Sequence, residues 1–513
     1  MTETPHLITD AMIHELAERQ ATLRPDALAL EFEGKSETYS ELNARANQVA
    51  NALSSLGVKR GDRVVWLAQN LGSFWHFLLG AAKIGAVLTP INWRLAPAEI
   101  SAILADANPT LVVGEAAFLD AVDTKDAVPA DRIFDVDAAG DGSLNSIIDN
   151  QSTDAPDYEP QLEDAVIQLY TSGTTGLPKG VILSNAAYKS MGDAGLETGV
   201  LIRQSDDEAI LHAIPHFHVA GVNFGMMALQ RSMPITQHRQ FDPAAIATAT
   251  QGETALSIFL VPAMIMMVLE AAKKMQLPLT KISQILYGAA PMPGPLLEAA
   301  MAAMPDTLFS QFYGMTETAG GLSYLEHKDH LDPVTRTAAG KPLLGCEVKI
   351  VDASTGEEVP VGEVGEVLTR SGHLMDGYWQ RPDATADAIK DGWYWSGDAG
   401  RVDENGFIYV VDRIKDMIIS GGENIYPAEL ENALATHPAV LECAMVGAPD
   451  DKWGEIVKAF VVCRPGADVS ADDVIEHLRE RIASFKLPRA VEFLEALPRN
   501  PSGKILKTTL RTM

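Results

Sequence analysis

One stretch decides how this chain is organised: Tyr170-Thr171-Ser172-Gly173-Thr174-Thr175-Gly176-Leu177-Pro178-Lys179-Gly180-Val181. An apolar run at 165–169 precedes it and predicts a buried strand, and Ser184-Asn185 after it predicts the cap of a helix. Glycines allow several backbone N–H groups to point into one concavity, hydroxyl side chains add donors, and Lys179 adds a mobile positive charge. The stretch therefore predicts a loop that holds phosphate groups. A solvated linker is the alternative, because Ser, Thr and Gly are also common in loops.

The stretch differs from the phosphate loop of P-loop proteins, which needs Gly, four residues and then Gly-Lys followed by Ser or Thr. Here Gly180 follows Lys179, and no glycine directly precedes the lysine. Residues 171–180 instead resemble the first signature of the adenylate-forming enzymes, Ser/Thr-Ser-Gly-Thr-Thr-Gly-x-Pro-Lys-Gly. That family contains acyl-CoA synthetases, aryl-CoA ligases, luciferases and the adenylation domains of peptide synthetases. The resemblance implies that ATP is bound by Thr171, Ser172, Gly173, Thr174, Thr175, Gly176 and Lys179.

Further motifs of this family follow in the family's order, so that the resemblance covers about residues 10–511. The segment 311–317 is similar to the second signature, Gly-Tyr-Gly-x-Thr-Glu. The resemblance implies that Tyr313 stacks on adenine, that Thr316 contacts phosphate and that Glu317 holds Mg²⁺. A tyrosine face suits a purine, and Mg²⁺ prefers carboxylate and phosphate oxygens. The nucleotide contacts implied here are Gln311, Phe312 (where a glycine is common), Tyr313, Gly314 and Thr316, and the implied metal ligands are Glu317 and Thr171.

One loop of small residues and two charged residues complete the implied nucleotide site. The segment 286–291 predicts a strand and then a loop of small residues, Gly288, Ala289 and Ala290, which a flat ring can approach closely. By resemblance this loop borders the adenine edge and the acyl channel, and a simple turn is the alternative. Asp398 matches an aspartate that accepts hydrogen bonds from both ribose hydroxyls, and Arg413 matches a second ribose contact.

The acid-binding part of the site is implied by the segment 213–219, which resembles Pro-x-Phe/Tyr-His-Val. The match places His218 near the substrate carboxylate at the mouth of an acyl pocket, whereas an isolated histidine would be read as a core residue bonded to backbone. The apolar stretch 221–227 suits a hydrophobic tail and equally suits ordinary core. An aromatic gate often stands at the position of Val222 in long-chain enzymes. The acyl-pocket residues expected are His216, Gly221, Val222, Asn223 and Met226.

The segment 412–427 combines charged residues, a strand and two glycines, which suit a hinge and a sharp turn. The resemblance places the pivot at Lys415. The domains expected are therefore 1–414, an AMP-binding domain with the ATP and acyl pockets, and 415–513, a mobile domain. The resemblance also implies a loop that enters the site during thioester formation, a CoA-side segment, and a lysine that bridges the substrate carboxylate and the α-phosphate. The loop is formed by Gly421, Gly422 and Glu423. The CoA-side segment contains Phe485 and Lys486, and the bridging lysine is Lys504.

Strands and helices alternate before the phosphate loop. Residues 39–53 carry a helical apolar stripe, 63–67 predict a buried strand, 73–83 a helix and 86–91 a further strand. This alternation predicts a mostly parallel sheet covered by helices. The fold class expected is α/β. A large N-terminal domain of layered sheets and helices carries a small β-barrel-like unit at 363–398, and a small mobile α+β domain follows.

Composition limits the partners. The chain is 47% hydrophobic and 21% charged, as in ordinary soluble proteins, and its formal net charge of −29 disfavours nucleic acid and charge-driven docking on anionic membranes. Three widely separated cysteines without a CxxC pair indicate neither a zinc site nor a disulfide framework. No signal peptide or membrane-spanning run is recognised, so a cytoplasmic protein without integral membrane contact is expected. A homodimer is the default expectation.

The implied activity is that of an ATP-dependent acyl-CoA ligase, with Mg²⁺, ATP and CoA as cofactors and a small carboxylic acid as substrate. The segments around His218, Gly288 and the hinge look most like bacterial fatty-acyl-CoA ligases. An aryl-acid CoA ligase of hydroxycinnamate or benzoate type shares the motifs closely. A stand-alone adenylation enzyme that loads a carrier protein is a further alternative. An ATP-binding regulatory module without turnover is disfavoured by Lys504, Glu317 and the hinge.

Overall fold

The computed structural model describes residues 7–8, 10–124, 127–171, 178–199, 207–421, 423–450, 452–467, 469–499 and 505–513. In this part of the chain the strands are, in order, β1 Leu28–Phe32, β2 Lys35–Thr38, β3 Arg63–Leu67, β4 Val87–Pro90, β5 Leu111–Gly114, β6 Ile133–Asp135, β7 Ala165–Thr171, β8 Lys179–Ser184, β9 Glu208–His212, β10 Ile235–Gln237, β11 Ala255–Leu260, β12 Ile282–Gly288, β13 Leu308–Tyr313, β14 Ser323–Leu325, β15 Lys341–Pro342, β16 Glu347–Val351, β17 Gly365–Arg370, β18 Gly377–Tyr378, β19 Ile389–Lys390, β20 Trp393–Val402, β21 Ile408–Arg413, β22 Ile418–Ser420, β23 Glu423–Ile425, β24 Val440–Asp450, β25 Gly454–Cys463 and β26 Ala490–Phe493.

The helices cover both faces of the large sheets and begin where the sequence supplies caps or proline. Thr38 and Glu41 form a capping box at the start of α2, and Pro262 opens α10. They are α1 Glu15–Leu23, α2 Tyr39–Ser55, α3 Ser73–Ala82, α4 Pro97–Ala107, α5 Ala116–Leu119, α6 Leu144–Asp149, α7 Asn185–Glu197, α8 Val219–Gln230, α9 Pro243–Ala249, α10 Pro262–Met275, α11 Gly294–Ala303, α12 His327–His330, α13 Pro382–Ala388, α14 Pro427–Leu434, α15 Ala471–Arg479 and α16 Lys507–Leu510.

Two large sheets carry the predicted nucleotide motifs. One contains nine of the described strands in the order β15-β14-β13-β12-β11-β9-β10-β1-β2, and its central pairs are parallel. The other contains seven in the order β18-β8-β7-β4-β3-β5-β6, with β7, β4, β3, β5 and β6 parallel. The largest apolar core joins side chains from both sheets and from α2, α3 and α8. The mostly parallel, helix-covered sheet predicted before the phosphate loop is present.

Two smaller antiparallel-rich sheets follow. The strands β16, β17, β19, β20 and β21 form the β unit expected near 363–398, with β20 pairing with β17, β19 and β21. The strands β22 to β26, together with α14 and α15, form the last unit, which has its own apolar core. The 3₁₀ helix Ile414–Asp416 lies between these two sheets. The predicted α/β fold class is confirmed, and the domain boundary at Lys415 stays a prediction.

Among the described residues, none of the helices combines the length and the apolar character that crossing a bilayer requires.

Candidate active site

The two strands that flank the phosphate motif form a hairpin. The strands β7 and β8 pair antiparallel, with Thr171 opposite Lys179 and Tyr170 opposite Gly180. Ser184 caps α7 by accepting a hydrogen bond from the backbone of Ala187, as the sequence predicts. The other loop residues, Ser172, Gly173, Thr174, Thr175 and Gly176, lie outside the described residues. The hairpin therefore brings Thr171 and Lys179 to the same end of the second sheet.

Glu317 is a buried carboxylate beside this hairpin. It belongs to the 3₁₀ helix Thr316–Thr318 and is 8% exposed. The Tyr378 hydroxyl donates a 2.8 Å hydrogen bond to Glu317 Oε1, and Lys179 Nζ lies 4.7 Å from the centre of the Tyr378 ring. The Tyr378 side chain therefore contacts both the Lys179 ammonium and the Glu317 carboxylate.

The donor set suits Mg²⁺ bound together with ATP. Magnesium sites of this kind use one or two carboxylates plus phosphate oxygens rather than a cage of protein ligands. Glu317 offers the carboxylate, and the hydroxyl of Thr171 offers a further oxygen at the end of the hairpin. Among the described residues there is no cluster of three or more His, Cys, Asp or Glu arranged to hold a metal.

Asp398 joins the two residues expected to contact adenine and ribose. The Tyr313 hydroxyl donates to Asp398 Oδ2 at 2.7 Å, and Arg413 Nε donates to Asp398 Oδ1 at 2.7 Å. The Asp398 backbone N–H donates to Ser396 Oγ at 3.0 Å. Burial, followed by the charge of Asp398, raises the pKa of Tyr313 well above its usual value, so the phenol stays protonated. A carboxylate has about four lone-pair sites, so it can accept hydrogen bonds from several donors, and ribose hydroxyls are donors of this kind.

The small-residue loop lies at the carboxyl end of β12. Gly288 is paired with Phe312 of β13, and a Cβ on Gly288 would lie 2.4 Å from the Phe312 carbonyl oxygen, so glycine is required there. Ala289 has a φ of +64°, and both Ala289 and Ala290 are exposed. The carboxyl ends of parallel strands are where open α/β sheets bind ligands. At the same edge of the sheet lie Gln311, Phe312, Tyr313, Gly314 and Thr316.

His218 lies directly before the first residue of α8, half-buried, with its imidazole edge-on to Phe217 at 4.6 Å between ring centroids. Burial, followed by the positive charge of Arg94, lowers the pKa of His218 to about 4. The imidazole is therefore neutral at physiological pH. A neutral imidazole can donate a hydrogen bond to a carboxylate without neutralising its charge.

The expected acyl segment forms the first half of α8. Gly221 packs against the Pro215 carbonyl oxygen, from which a Cβ would lie only 2.2 Å away, and Val222 is fully buried. Asn223 Nδ2 donates to the Ala319 carbonyl oxygen at 2.6 Å. Because Ala319 follows Glu317 by two residues, this contact joins α8 directly to the nucleotide motif. Met226 is also buried, at 7% exposure.

His216 belongs to a polar and aromatic cluster behind α8. Its ring stacks on Phe74 at 4.0 Å between centroids, and its Nε2 lies 3.1 Å from Gln237 Oε1. Trp75 also contacts the His216 ring. Burial holds the pKa of His216 well below its usual value. His216 is therefore packed in the core against α3 and β10, and its role in an acyl pocket stays a prediction.

The residues expected to act in the second half-reaction lie in the last unit. Gly421 has a φ of +63°, and its N–H donates to the Trp453 carbonyl at 2.8 Å. Lys486 pairs with Glu429 at 2.6 Å, and Phe485 is 47% exposed. Lys415 is exposed and Glu423 begins β23. The expected residues Gly422 and Lys504 lie outside the described residues.

The residues around Glu317 include a buried tyrosine, Tyr378, that the sequence motifs do not single out. Tyr378 touches both Glu317 and Lys179, and a second tyrosine, Tyr394, is hydrogen-bonded to Tyr378. The signal in the sequence was the aromatic pair Tyr378-Trp379 after a glycine, inside the glycine-punctuated segment 363–398.

The chain belongs to the family of AMP-binding enzymes. The family described as AMP-binding enzyme matches residues 17–379, and the AMP-binding enzyme C-terminal domain matches residues 429–504. The first match alone spans more than half of the chain. The predicted family is confirmed, and with it the enzyme class of AMP-forming acid–thiol ligases. Enzymes of this class use ATP, Mg²⁺ and CoA, the cofactors predicted from the sequence.

Similar proteins differ in the acid and in the acceptor that their names give. A fatty acid–[acyl-carrier-protein] ligase, ScoC, from Streptomyces coeruleorubidus is 38% identical over 489 residues, 95% of this chain and 93% of the relative. A feruloyl-CoA synthase from an Amycolatopsis species is 38% identical over 498 residues, 96% and 97% of the two chains. The long-chain-fatty-acid–CoA ligase FadD13 of Mycobacterium tuberculosis is 37% identical over 476 residues, 92% of each chain.

A solved structure is similar to this chain over almost its whole length. The o-succinylbenzoate CoA synthetase of Bacillus subtilis, determined in complex with ATP and magnesium ion, is 28% identical and superposes with a TM-score of 0.82 over 97% of this chain and 99% of that chain.

Proposed function

We propose that the protein is an ATP-dependent acyl-CoA ligase that activates a fatty acid as an acyl-adenylate and then transfers the acyl group to CoA. One observation carries the proposal. The network Lys179–Tyr378–Glu317 lies at one end of the second sheet, the network Tyr313–Asp398–Arg413 anchors the end of β13, and the Asn223–Ala319 contact attaches the acyl segment to the residues just after Glu317. These contacts support a single site for phosphate, nucleoside and acid groups.

In the first half-reaction the substrate carboxylate attacks the α-phosphorus of ATP, which yields acyl-AMP and pyrophosphate. Negative charge spreads over phosphate oxygens in the transition state, and preorganised cations and N–H donors stabilise it. Lys179 and the loop 172–177 would hold the leaving pyrophosphate, and Lys504 would bridge the carboxylate and the α-phosphate. Mg²⁺ bound by Glu317 and Thr171 would supply further neutralisation of phosphate charge. Asp398 and Arg413 would fix the ribose, and Tyr313 the adenine.

The neutral state of His218 suits a residue beside a nucleophilic carboxylate. An imidazolium would attract the carboxylate and weaken its attack, whereas a neutral ring can position it by hydrogen bonding alone. The pKa of about 4 keeps the ring neutral over the working pH range.

In the second half-reaction the small domain would rotate about Lys415, so that one site serves two geometries. The movement would remove Lys504 and bring in Gly421, Gly422 and Glu423, with Phe485 and Lys486 on the CoA side. The CoA thiolate then attacks the acyl carbonyl, and AMP leaves. The domain limits 1–414 and 415–513 and these roles belong to the proposal, as do the homodimer and the cytoplasmic location.

The test is pyrophosphate release with Mg·ATP and CoA across short, medium and long fatty acids, benzoate, hydroxycinnamates and an amino acid. Each buried methylene contributes about 0.8 kcal/mol, so kcat/KM should rise severalfold with each added carbon until the pocket is filled. A maximum on an aryl acid, as the feruloyl-CoA synthase suggests, would keep the mechanism and overturn the fatty-acid substrate. No release with any acid would overturn the ligase assignment.

A carrier protein is the second candidate acceptor, because the fatty acid–[acyl-carrier-protein] ligase ScoC is 38% identical to this chain. Supplying a fatty acid and Mg·ATP with either CoA or a phosphopantetheinylated carrier protein separates the two acceptors. Faster thioester formation on the carrier would replace CoA in the proposal.

A further inference from the structure

Tyr378 stands between two of the groups proposed to bind Mg·ATP. Its hydroxyl donates to Glu317 Oε1 at 2.8 Å, and the face of its ring carries Lys179 Nζ at 4.7 Å from the centroid. The side chain is 9% exposed. We propose that Tyr378 is a positioning residue for adenylation: it orients the Glu317 carboxylate for Mg²⁺ and keeps the Lys179 ammonium beside it. The inference rests on the proposed roles of Glu317 and Lys179.

The hydroxyl of Tyr378 remains a donor under working conditions. An ordinary phenol has a pKa of about 10 and is therefore protonated at neutral pH. The protonated phenol therefore occupies one lone pair of Oε1 and leaves the other carboxylate lone pairs available. Hydrogen bonds of this kind orient metal-binding carboxylates, and losing them weakens metal affinity although the ligand itself is intact.

The fold holds Tyr378 in place from both sides. Tyr378 is the last residue of β18 and pairs with Val181 of β8, the second strand of the phosphate hairpin. Its backbone N–H donates to Thr385 Oγ1 at 2.9 Å, and the N–H of the next residue, Trp379, donates to the Gly180 carbonyl at 2.7 Å. The position of the ring is therefore fixed relative to the strand that begins with Lys179.

A second set of contacts anchors the same segment to the strand that leads into the phosphate loop. Trp379 Nε1 donates to the Asp106 carbonyl at 3.0 Å, and the guanidinium of Arg63 lies 3.2 Å above the Trp379 ring. The Tyr170 hydroxyl donates to Asp106 Oδ2 at 2.8 Å, and Arg381 pairs with the same carboxylate. Asp106 thus joins the residues that flank Tyr378 to the end of β7. Such supporting contacts are what hold a site in its productive geometry.

The two contacts of Tyr378 can be separated chemically. A phenylalanine keeps the ring face, which attracts a cation within about 6 Å of its centre, but lacks the hydroxyl. Tyr378→Phe should therefore weaken metal binding while Lys179 keeps its place. A merely structural role would lower stability without changing metal affinity selectively.

The experiment measures Mn²⁺, used as a paramagnetic substitute for Mg²⁺, by EPR titration of the full-length enzyme with a non-hydrolysable ATP analogue. Tyr378→Phe should bind Mn²⁺ roughly tenfold more weakly, the loss expected for one hydrogen bond to a charged group. Affinity for the analogue without metal should be unchanged. In pyrophosphate release, the Mg²⁺ concentration at half-maximal rate should rise, and kcat should recover at saturating Mg²⁺.

Two further variants make the result decisive. Tyr39→Phe removes a hydroxyl from another fully buried tyrosine, whose OH lies 3.3 Å from the Met233 carbonyl, and should leave Mn²⁺ binding unchanged. Glu317→Gln should weaken Mn²⁺ binding more than Tyr378→Phe does.

If Glu317→Gln weakens binding but Tyr378→Phe matches the unmodified enzyme, the positioning role is wrong and the metal role of Glu317 stands. If Glu317→Gln has no effect, the proposed metal role fails and the positioning role falls with it.

Discussion

At the scale of single residues, Asp398 connects two of the residues proposed to hold the nucleoside. Its two carboxylate oxygens accept hydrogen bonds from Tyr313 and Arg413, and its backbone N–H is bonded to Ser396. The residue is 4% exposed. Because both side-chain partners are donors, the network depends on the negative charge and on two accepting oxygens, and not only on the shape of the side chain.

We expect Asp398→Asn to weaken ATP binding by roughly 10- to 100-fold, since hydrogen bonds to charged groups contribute about 1.5–3 kcal/mol. The amide NH₂ of asparagine would face a donor from either Tyr313 or Arg413. Calorimetric titration with ATP measures the effect directly. Asp352→Asn, an exposed turn residue bonded to Ser354, is the matched control and should bind ATP normally. Equal affinities of the two variants would contradict the role of Asp398.

The sequence identified Asp398, Tyr313 and Arg413 because each stands in a motif with a fixed register. It did not identify Tyr378, whose importance depends on a contact with a residue 61 positions away. His216 was expected among the acyl-pocket residues, and that role stays a prediction. The sequence did not indicate that its ring packs on Phe74 of α3. Side-chain contacts over such separations are set by tertiary packing, which local patterns do not record.

At the scale of elements, α8 lies unusually close to α3. A Cβ on Gly225 of α8 would lie 1.9 Å from the Trp75 ring, and Trp75 is fully buried. For Gly195 of α7, by contrast, none of the described residues outside its own helix backbone places an atom within 4 Å of the position that a Cβ would take. The two glycines occupy interior positions of helices, so they differ mainly in the space around them.

This contrast gives a paired stability prediction. Gly225→Ala should destabilise the protein by about 1–3 kcal/mol, because the added methyl forces the buried indole or the helix to move. Gly195→Ala should stabilise it by about 0.5–1 kcal/mol, because alanine loses less conformational entropy in a helix. Urea midpoints at constant m-value report both changes. Similar shifts for the two variants would show that α8 and Trp75 can separate at little cost.

Elements with a regular apolar pattern were predictable, and irregular ones were less so. The helix expected at 39–53 is α2, Tyr39–Ser55, and the strand expected at 63–67 is β3. The strand β8, directly after the phosphate loop, was not expected, because its evidence is the cross-strand pairing with β7 rather than its own composition. The second strand of a hairpin can therefore be missed when a strong loop motif stands directly before it.

At the scale of the whole molecule, buried histidines make stability depend on pH. Burial lowers the pKa values of His212, His330 and His373 to about 4 each, from an ordinary value near 6.5. Between these values the unfolded chain binds more protons than the folded one. Stability is therefore fully present above pH 6.5 and decreases as the pH falls towards 4.

We expect the melting temperature to fall steadily between pH 6.5 and 5, where most carboxylates are still ionised. His330→Gln should flatten this dependence, since a histidine with this shift contributes on the order of 3 kcal/mol when the full interval is crossed. Glutamine can still bond to Tyr287, which His330 contacts through Nε2 at 2.8 Å. Differential scanning fluorimetry at constant ionic strength measures the slope. An identical slope in the variant would show that His330 does not stay neutral.

Strand order is the part of the architecture that no local pattern could supply. The alternation of strands and helices predicted a mostly parallel sheet, but not that β1 would lie beside β10 and β7 beside β4. Strand pairings of this kind decide which motifs meet: β12 lies beside β13 in one sheet, and the phosphate hairpin lies between β18 and β4 in the other.

The proposed domain rotation predicts opposite defects from two substitutions. Lys415 lies in the 3₁₀ helix Ile414–Asp416 between the last two sheets, and Arg511 near the C-terminus pairs with the adjacent Asp416 at 2.8 Å. Lys415→Pro fixes φ and restricts the preceding residue, so it should hinder rotation. We expect it to keep adenylation within about threefold of normal and to reduce thioester formation at least tenfold, the size of an added barrier of about 1.4 kcal/mol.

Lys504→Ala should do the reverse, because it removes a charge needed only while the α-phosphorus is attacked. Pyrophosphate release without CoA measures the first half-reaction, and thioester formation from supplied acyl-AMP measures the second. The variant should lose most pyrophosphate release, as expected for a charged transition-state contact, yet use acyl-AMP normally. Exposed Lys452 in the same unit offers a control, and Lys452→Ala should spare pyrophosphate release. If Lys415→Pro and Lys504→Ala impair both half-reactions equally, one geometry serves both steps and the rotation is not part of the mechanism.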